Sequence, residues 1–270
     1  MSEAALRRTA TAWLAQGRAA MVVQVIEAQG STPREAGARM LVSAEAVEGT
    51  IGGGHLELQA IAQARGALAQ GGEATTERRY ALGPSLGQCC GGAVTLRTAP
   101  LTAALLAQWP EPPARFTLQL YGAGHVGRAI VNILRGMDCR VSWIDERDAE
   151  FGRAGEDLPP HIERVCVDEV QAEVCNAPAG ALYLVLTHSH DLDLKIVEVV
   201  LKRGDFGFLG LIGSATKRAR FEHRLRERGI AAALLERLVC PIGLPGIEGK
   251  APEVIAVSVV AQLLQQAPAE

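Results

Sequence analysis

The stretch "LQLYGAGHVGRAIVNILRGMDCRVSWIDERD" places Gly122, Gly124 and Gly127 in a G-x-G-x-x-G spacing, directly after an apolar strand-like run and at the mouth of a helical one. Asp145 ends the next strand-like run, roughly 20 positions on, where the fold needs an acid. Each glycine has a mechanical reason. Gly122 makes the tight turn, Gly124 lets backbone approach a phosphate, and Gly127 lets helix pack on strand. The helix start then offers unpaired N–H groups to an anion. Downstream, the runs "ERVCVDEV", "ALYLVLTH" and "GFLGLIG" recur with helical stretches between them. Strand and helix in alternation predict a Rossmann-like, doubly wound parallel sheet.

Two later loops fall at predicted strand ends, the ligand-facing edge of such a sheet. "LTHSHDLDLKI" offers His188, His190, Asp191 and Asp193, with Asp191 reading equally well as a helix N-cap. The His-x-His is not read as a metal site, because alternate residues at a helix entry usually diverge. "GLIGSATKRARF" offers Ser214 as a cap, then Lys217 and Arg218 in the first turn. Cations there oppose the helix dipole, a penalty that a docked anion would offset; an ordinary solvated face is the competing reading. Asp145 fits a carboxylate bonded to a ribose, or an exposed acid ending a strand.

Pro100, Pro110, Pro112 and Pro113 mark a break in composition, and the expected layout is an α+β domain over 1–98, a proline-rich linker over 99–115 and the Rossmann-like domain over 116–270. In the first domain, Ser31-Thr32-Pro33-Arg34 is a turn with one fixed cation, and Gly52-Gly53-Gly54 feeds straight into a helix beginning near His55. Such a glycine run lets successive N–H groups face one point and form an anion-binding concavity. His55 fits three roles: hydrogen-bond donor, metal ligand or cap. "GQCCGG" sets Cys89 and Cys90 between glycines; neighbours in extended backbone point to opposite faces, so one thiol faces any ligand. Arg78 and Arg79 would lower its pKa if they fold close, and an activated thiolate suits a transition metal or a sulfur atom being transferred.

A net charge of -3 supplies no counterion-release term for nucleic acid, and 4% aromatic residues offer few platforms for stacked bases. "MSEAALRRTATAWLAQG" reads as an amphipathic helix with Leu6, Trp13 and Leu14 on one side, without the apolar run of a secretory signal. No span of ~18 uncharged apolar residues occurs. The expectation is a cytoplasmic chain with neither nucleic-acid nor membrane partners. Six cysteines without a C-x-x-C pair argue against a disulfide framework or a structural zinc site, and Cys139 and Cys166 are expected to be inert core thiols.

Taken in order, "GSTPREAGARMLV", "GTIGGGHLE", "QCCGG", "YGAGHVG", "LTHSHDLD", "GLIGSATKRARF" and "CPIGLPGIEGKAPEVIAVSVVAQLL" resemble the XdhC/CoxI family, the xanthine dehydrogenase accessory proteins. The resemblance covers nearly the whole chain. It implies a non-catalytic maturation factor with an N-terminal XdhC/CoxI domain and a Rossmann-like domain. Such a factor binds molybdenum cofactor (molybdopterin), supports its sulfuration with a cysteine desulfurase, and delivers it to apo-xanthine dehydrogenase. The cofactor-binding residues expected on that basis are Ser31, Arg34, Gly52, Gly53, Gly54, His55, Cys89, Cys90, Gly122, Gly124, His125, Gly127, Asp145, His188, Ser214 and Lys217, with Cys89 or Cys90 on molybdenum. Some related proteins carry Cys where this chain has His55, which shifts the metal contact toward that pair. A homodimer is expected. The alternative is an NAD(P)-dependent oxidoreductase built on the glycine loop, with His188 or Lys217 recruited for proton transfer.

Overall fold

The computed structural model describes residues 2–72, 74–82, 91–110, 113–152 and 158–266. Two compact units emerge, Met1–Pro112 and Pro113–Glu270.

Unit 1 comprises α1 (Glu3–Ala15), β1 (Ala20–Gln29), β2 (Arg39–Ser43), β3 (Val47–Gly49), α2 (Gly54–Ala69), β4 (Thr76–Ala81), β5 (Ala93–Pro100) and α3 (Ala103–Gln108). Its strands form one antiparallel sheet in the order β3-β2-β1-β5-β4. Because side chains alternate along a strand, each face of the sheet has its own core. Met21, Val23, Val25, Met40 and Val42 pack with Leu56, Ala60 and Ala64 of α2. Val22 and Leu41 pack with Leu6, Ala10 and Trp13 of α1 and with Trp109 beyond α3. Burying each large aliphatic side chain contributes about 1.5–3 kcal/mol, so α1 is held by its apolar face more than by propensity. Glu3 fixes its angle, accepting from Trp109 Nε1 at 2.5 Å and pairing with Arg39, whose guanidinium lies over the Trp109 ring.

Among the described residues of the segment expected as a linker, regular structure occurs on both sides of Leu101. β5 continues to Pro100 at its last position, Leu101 N still donates to Ala20 O at 2.8 Å, and α3 follows with Thr102 Oγ1 capping Leu105 N at 3.1 Å.

Unit 2 comprises β6 (Thr117–Tyr121), α4 (His125–Leu134), β7 (Arg140–Asp145), β8 (Ile162–Cys166), β9 (Leu182–Val185), α5 (His190–Arg203), β10 (Phe208–Leu211), α6 (Ala215–Glu227), α7 (Ala232–Glu236), β11 (Leu238–Val239) and α8 (Pro252–Gln266). All six strands are parallel, in the order β11-β10-β9-β6-β7-β8. This is the doubly wound order of a Rossmann fold, and the strand order reverses between β6 and β9. Leu118 and Leu120 join a core with α4 and α8, whereas Tyr121, Tyr183 and Val185 join one with α5 and α6. The alternation of strand and helix holds except around β8, where 3₁₀ turns at Asp148–Phe151 and Val170–Asn176 stand in for helices. Cys139 is buried as expected, but Cys166 is exposed at the carboxyl end of β8 and is not a core thiol.

Candidate functional site

The first candidate site is the carboxyl edge of the unit 2 sheet at the β6/β9 reversal, where open α/β sheets bind ligands. Gly122 has φ +122°, and a Cβ there would sit 2.3 Å from Leu186 O. On Gly127 it would sit 2.0 Å from Gly122 O. Both glycines are therefore demanded by the protein's own packing. Gly124 is different. Its φ of -66° suits any residue, and a Cβ there meets nothing within 4 Å. It is the N-cap of α4, whose first-turn amides lack intrahelical acceptors. The fold keeps open space where a phosphate would approach. His125, the first residue of α4, is exposed beside it.

Asp145 is neither an exposed acid nor an available ribose acceptor. It is 4% exposed. Oδ2 accepts from Ala123 N at 2.7 Å and Arg147 Nη2 at 3.0 Å, and Oδ1 accepts from Arg147 N at 3.0 Å and Nε at 2.9 Å. Burial pushes its pKa up, but the Arg147 side chain and the two backbone N–H donors outweigh that and hold it below the ordinary carboxylate range. In this arrangement Asp145 positions the glycine loop. One residue on, Glu146 meets His188 Nε2 at 3.5 Å. β6 lies between β7 and β9, so this pair crosses the carboxyl end of β6, above the glycine loop.

The loops after β9 and β10 are joined by an ion pair that the sequence did not reveal. Asp193, fully buried, accepts from Thr187 N at 3.0 Å, Thr187 Oγ1 at 2.7 Å and Lys217 Nζ at 2.7 Å. Lys217 Nζ also donates to Ile212 O at 2.8 Å. The cation expected to greet an external anion is thus engaged inside the protein. Ser214 caps α6 as expected, accepting from Lys217 N at 3.3 Å. The N-cap of α5 is Ser189, not Asp191, which is exposed and pairs with Arg224.

The second candidate site lies at one end of the unit 1 sheet. Gly52, Gly53 and Gly54 have φ of +127°, +75° and +65°, so the triplet is required by the backbone. Its concavity already holds a carboxylate: Glu57 Oε2 accepts from Ile51 N at 3.2 Å, Gly53 N at 3.0 Å and Thr50 Oγ1 at 2.5 Å. The internal acid thus takes two of the amides anticipated for an external anion, and Thr50 Oγ1 takes that of Gly52 at 3.1 Å. A Cβ on Gly52 would press on Pro33 Cγ at 2.5 Å, and one on Gly92 would lie 2.5 Å from Ser31 O. The Ser31–Arg34 turn is therefore the meeting point of the triglycine loop and the end of "QCCGG". Ser31, Arg34 and His55 are exposed there. Cys89 and Cys90 lie outside the described residues, so their contacts and the suggested role of Arg78 and Arg79 are not seen. Among the described residues no group of three or more His, Cys, Asp or Glu is placed to hold a metal ion, and no helix is long and apolar enough to cross a membrane.

A family model described as the XdhC Rossmann domain matches residues 118–263, and one described as the XdhC and CoxI family matches residues 13–80. An uncharacterized Escherichia coli (strain K12) protein, YqeB, is 31% identical over 254 residues, covering 90% of this chain and 43% of that protein. The chain thus spans less than half the length of this relative. A Bacillus halodurans structure titled as a xanthine dehydrogenase superposes with a TM-score of 0.73 at 19% identity, covering 98% of this chain and 96% of the other. At that identity the likeness is one of fold.

Proposed function

The chain belongs to the XdhC and CoxI family, and from that premise we propose that it is a maturation factor for xanthine dehydrogenase, a carrier of molybdenum cofactor and not itself a hydroxylase. The observation that carries this reading is the convergence in unit 1 of Ser31–Arg34, the Gly52–Gly54 loop and Gly92, which brings the flank of the cysteine pair to an exposed turn. A cargo with a phosphate and a thiolate-ligated metal needs an anion site and a soft ligand within reach of each other. Since Glu57 takes the amides of Ile51 and Gly53 and Thr50 Oγ1 that of Gly52, the anion contact falls to the side chains of Arg34 and His55 beside the start of α2, and the soft contact to Cys89 or Cys90. In this reading a cysteine desulfurase supplies sulfur to the bound cofactor, apo-xanthine dehydrogenase receives it, and the carrier acts as a homodimer in the cytoplasm.

Transfer tests the proposal. Protein purified with cofactor should activate apo-xanthine dehydrogenase when the two are mixed, and cofactor-free protein should not. Equal activation by both preparations contradicts it.

Gly124 favours a second reading for unit 2, in which the glycine loop takes a nicotinamide dinucleotide and the chain is an NAD(P)-dependent oxidoreductase. Against it, Asp145 is committed to Ala123 and Arg147, and Lys217 to Asp193. Titration with NADH separates the two, because micromolar binding supports the dehydrogenase.

A further inference from the structure

At the carboxyl end of β11 the chain builds a pocket that neither reading uses. The loop from Cys240 to Gly249, the first turns of α8 and Arg218 line a cleft, open on one side, of about 540 Å³. That lies within the range of small-molecule sites, ~300–1,000 Å³. The loop is fastened in place. Leu244 N donates to Ser258 Oγ at 2.7 Å, Gly243 N donates to Gln262 Oε1 at 2.9 Å, and Gln262 Nε2 donates back to Gly243 O at 3.3 Å. Ser258 is itself buried. Gly243, Gly246 and Gly249 hold φ of +106°, +88° and +145°, so the loop adopts a shape that only glycines at those points permit without strain. A surface loop tied down in this way is a preformed wall, as small-ligand sites usually are.

The lining sets the class of ligand. Ile242, Leu244, Ile247 and Val254 supply apolar surface, and Arg218 of α6 is the charged side chain among the lining residues. Glu222 engages Arg218 through Nε at 2.6 Å, and a guanidinium has further N–H donors beyond that one. The pocket opens at the sheet edge where doubly wound folds take their ligands, but at β11, away from the glycine loop at β6. We propose that this pocket binds a flat organic anion, a heterocycle bearing one phosphate or carboxylate, with the ring against Ile242, Leu244 and Ile247 and the anion on Arg218. The assignment stands on the pocket alone and does not depend on what unit 1 carries.

The test is calorimetric titration of the full chain with two probes, adenosine monophosphate and pterin-6-carboxylate, which separate a nucleotide from a pterin. The expected result is saturable binding of one probe with Kd between about 1 µM and 1 mM. Arg218→Gln should weaken it roughly tenfold, as expected for loss of a charge-assisted contact. Gly124→Val, which fills the open space at the glycine loop, should leave it unchanged. Absence of binding by both probes overturns the proposal. So does binding that survives Arg218→Gln and disappears in Gly124→Val, which would place the ligand at β6.

Discussion

Lys217 Nζ lies 2.7 Å from Asp193 Oδ2, and the pair ties the start of α6 to the first turn of α5 with the carboxylate fully buried. Removing one partner leaves the other charge buried and alone, which costs about 3–5 kcal/mol, whereas an apolar pair of similar volume is often tolerated. Asp193→Ala should therefore lower the unfolding midpoint of unit 2 sharply, and Asp193→Leu with Lys217→Met should recover much of the loss. Urea unfolding followed by far-UV circular dichroism checks this, with Lys217→Met as the second single variant; a double-variant loss equal to the sum of the two single losses would show that the pair is not coupled.

Asp145 makes the stability of unit 2 depend on pH. Its pKa is lowered by folding, so its contribution is fully present above the unfolded carboxylate value of ~3.9 and is lost as pH falls through the lower folded value. Asp145→Asn should cost about 1.5–3 kcal/mol near neutrality, in line with hydrogen bonds to a charged group. The gap to the native chain should close in acid below the folded pKa. A gap that stays constant from pH 7 to pH 2 would remove the ionised carboxylate from the account.

The glycines of the fingerprint should separate by mechanism. Gly127→Ala drives a methyl to 2.0 Å from Gly122 O and should destabilise unit 2 by several kcal/mol, in the manner of an overpacked core. Gly124→Ala meets nothing, and because alanine is only a poorer N-cap than glycine the loss should stay at or below about 1 kcal/mol, well short of that for Gly127→Ala. Thermal melts of the two variants side by side check the contrast.

Glu57 accepts from two amides of the triglycine loop, so Glu57→Ala should cost about 1.5–3 kcal/mol. The variant should also acquire a response to inorganic phosphate. Added phosphate should raise its melting temperature more than that of the native chain, since the amides of Ile51 and Gly53 then lack their acceptor. An identical phosphate response in both chains would mean that the loop does not bind anions when emptied.

These residues also mark what a sequence can disclose. The unit 2 sheet was legible because Gly122, Gly124 and Gly127 carry local geometric demands and the strands are short apolar runs at regular spacing. β11 was missed, being a two-residue strand inside a Gly/Pro-rich stretch. The unit 1 sheet was legible only as alternating runs, since β1 pairs with β5 some seventy positions away. Asp193 and Lys217 were visible as charges on two loops, but that they neutralise each other depends on the packing of α5 against β10. Glu57 sits four positions after Gly53, a spacing that places a carboxylate over a helix start and was the available hint. Arg147, two residues beyond Asp145, was the corresponding hint that the acid was already paired.

The central claim concerns cargo, and the most direct measurement is the pterin content of the chain after co-expression with the cofactor's biosynthetic machinery. Small molecules released from the purified protein are oxidised and quantified by fluorescence and mass spectrometry. The account predicts molybdopterin at near one per chain, strongly reduced in Arg34→Ala and in the Cys89→Ala, Cys90→Ala double variant, with their folds intact by circular dichroism. Native protein that releases no pterin under these conditions, or variants that retain it undiminished, would contradict the carrier site placed on unit 1.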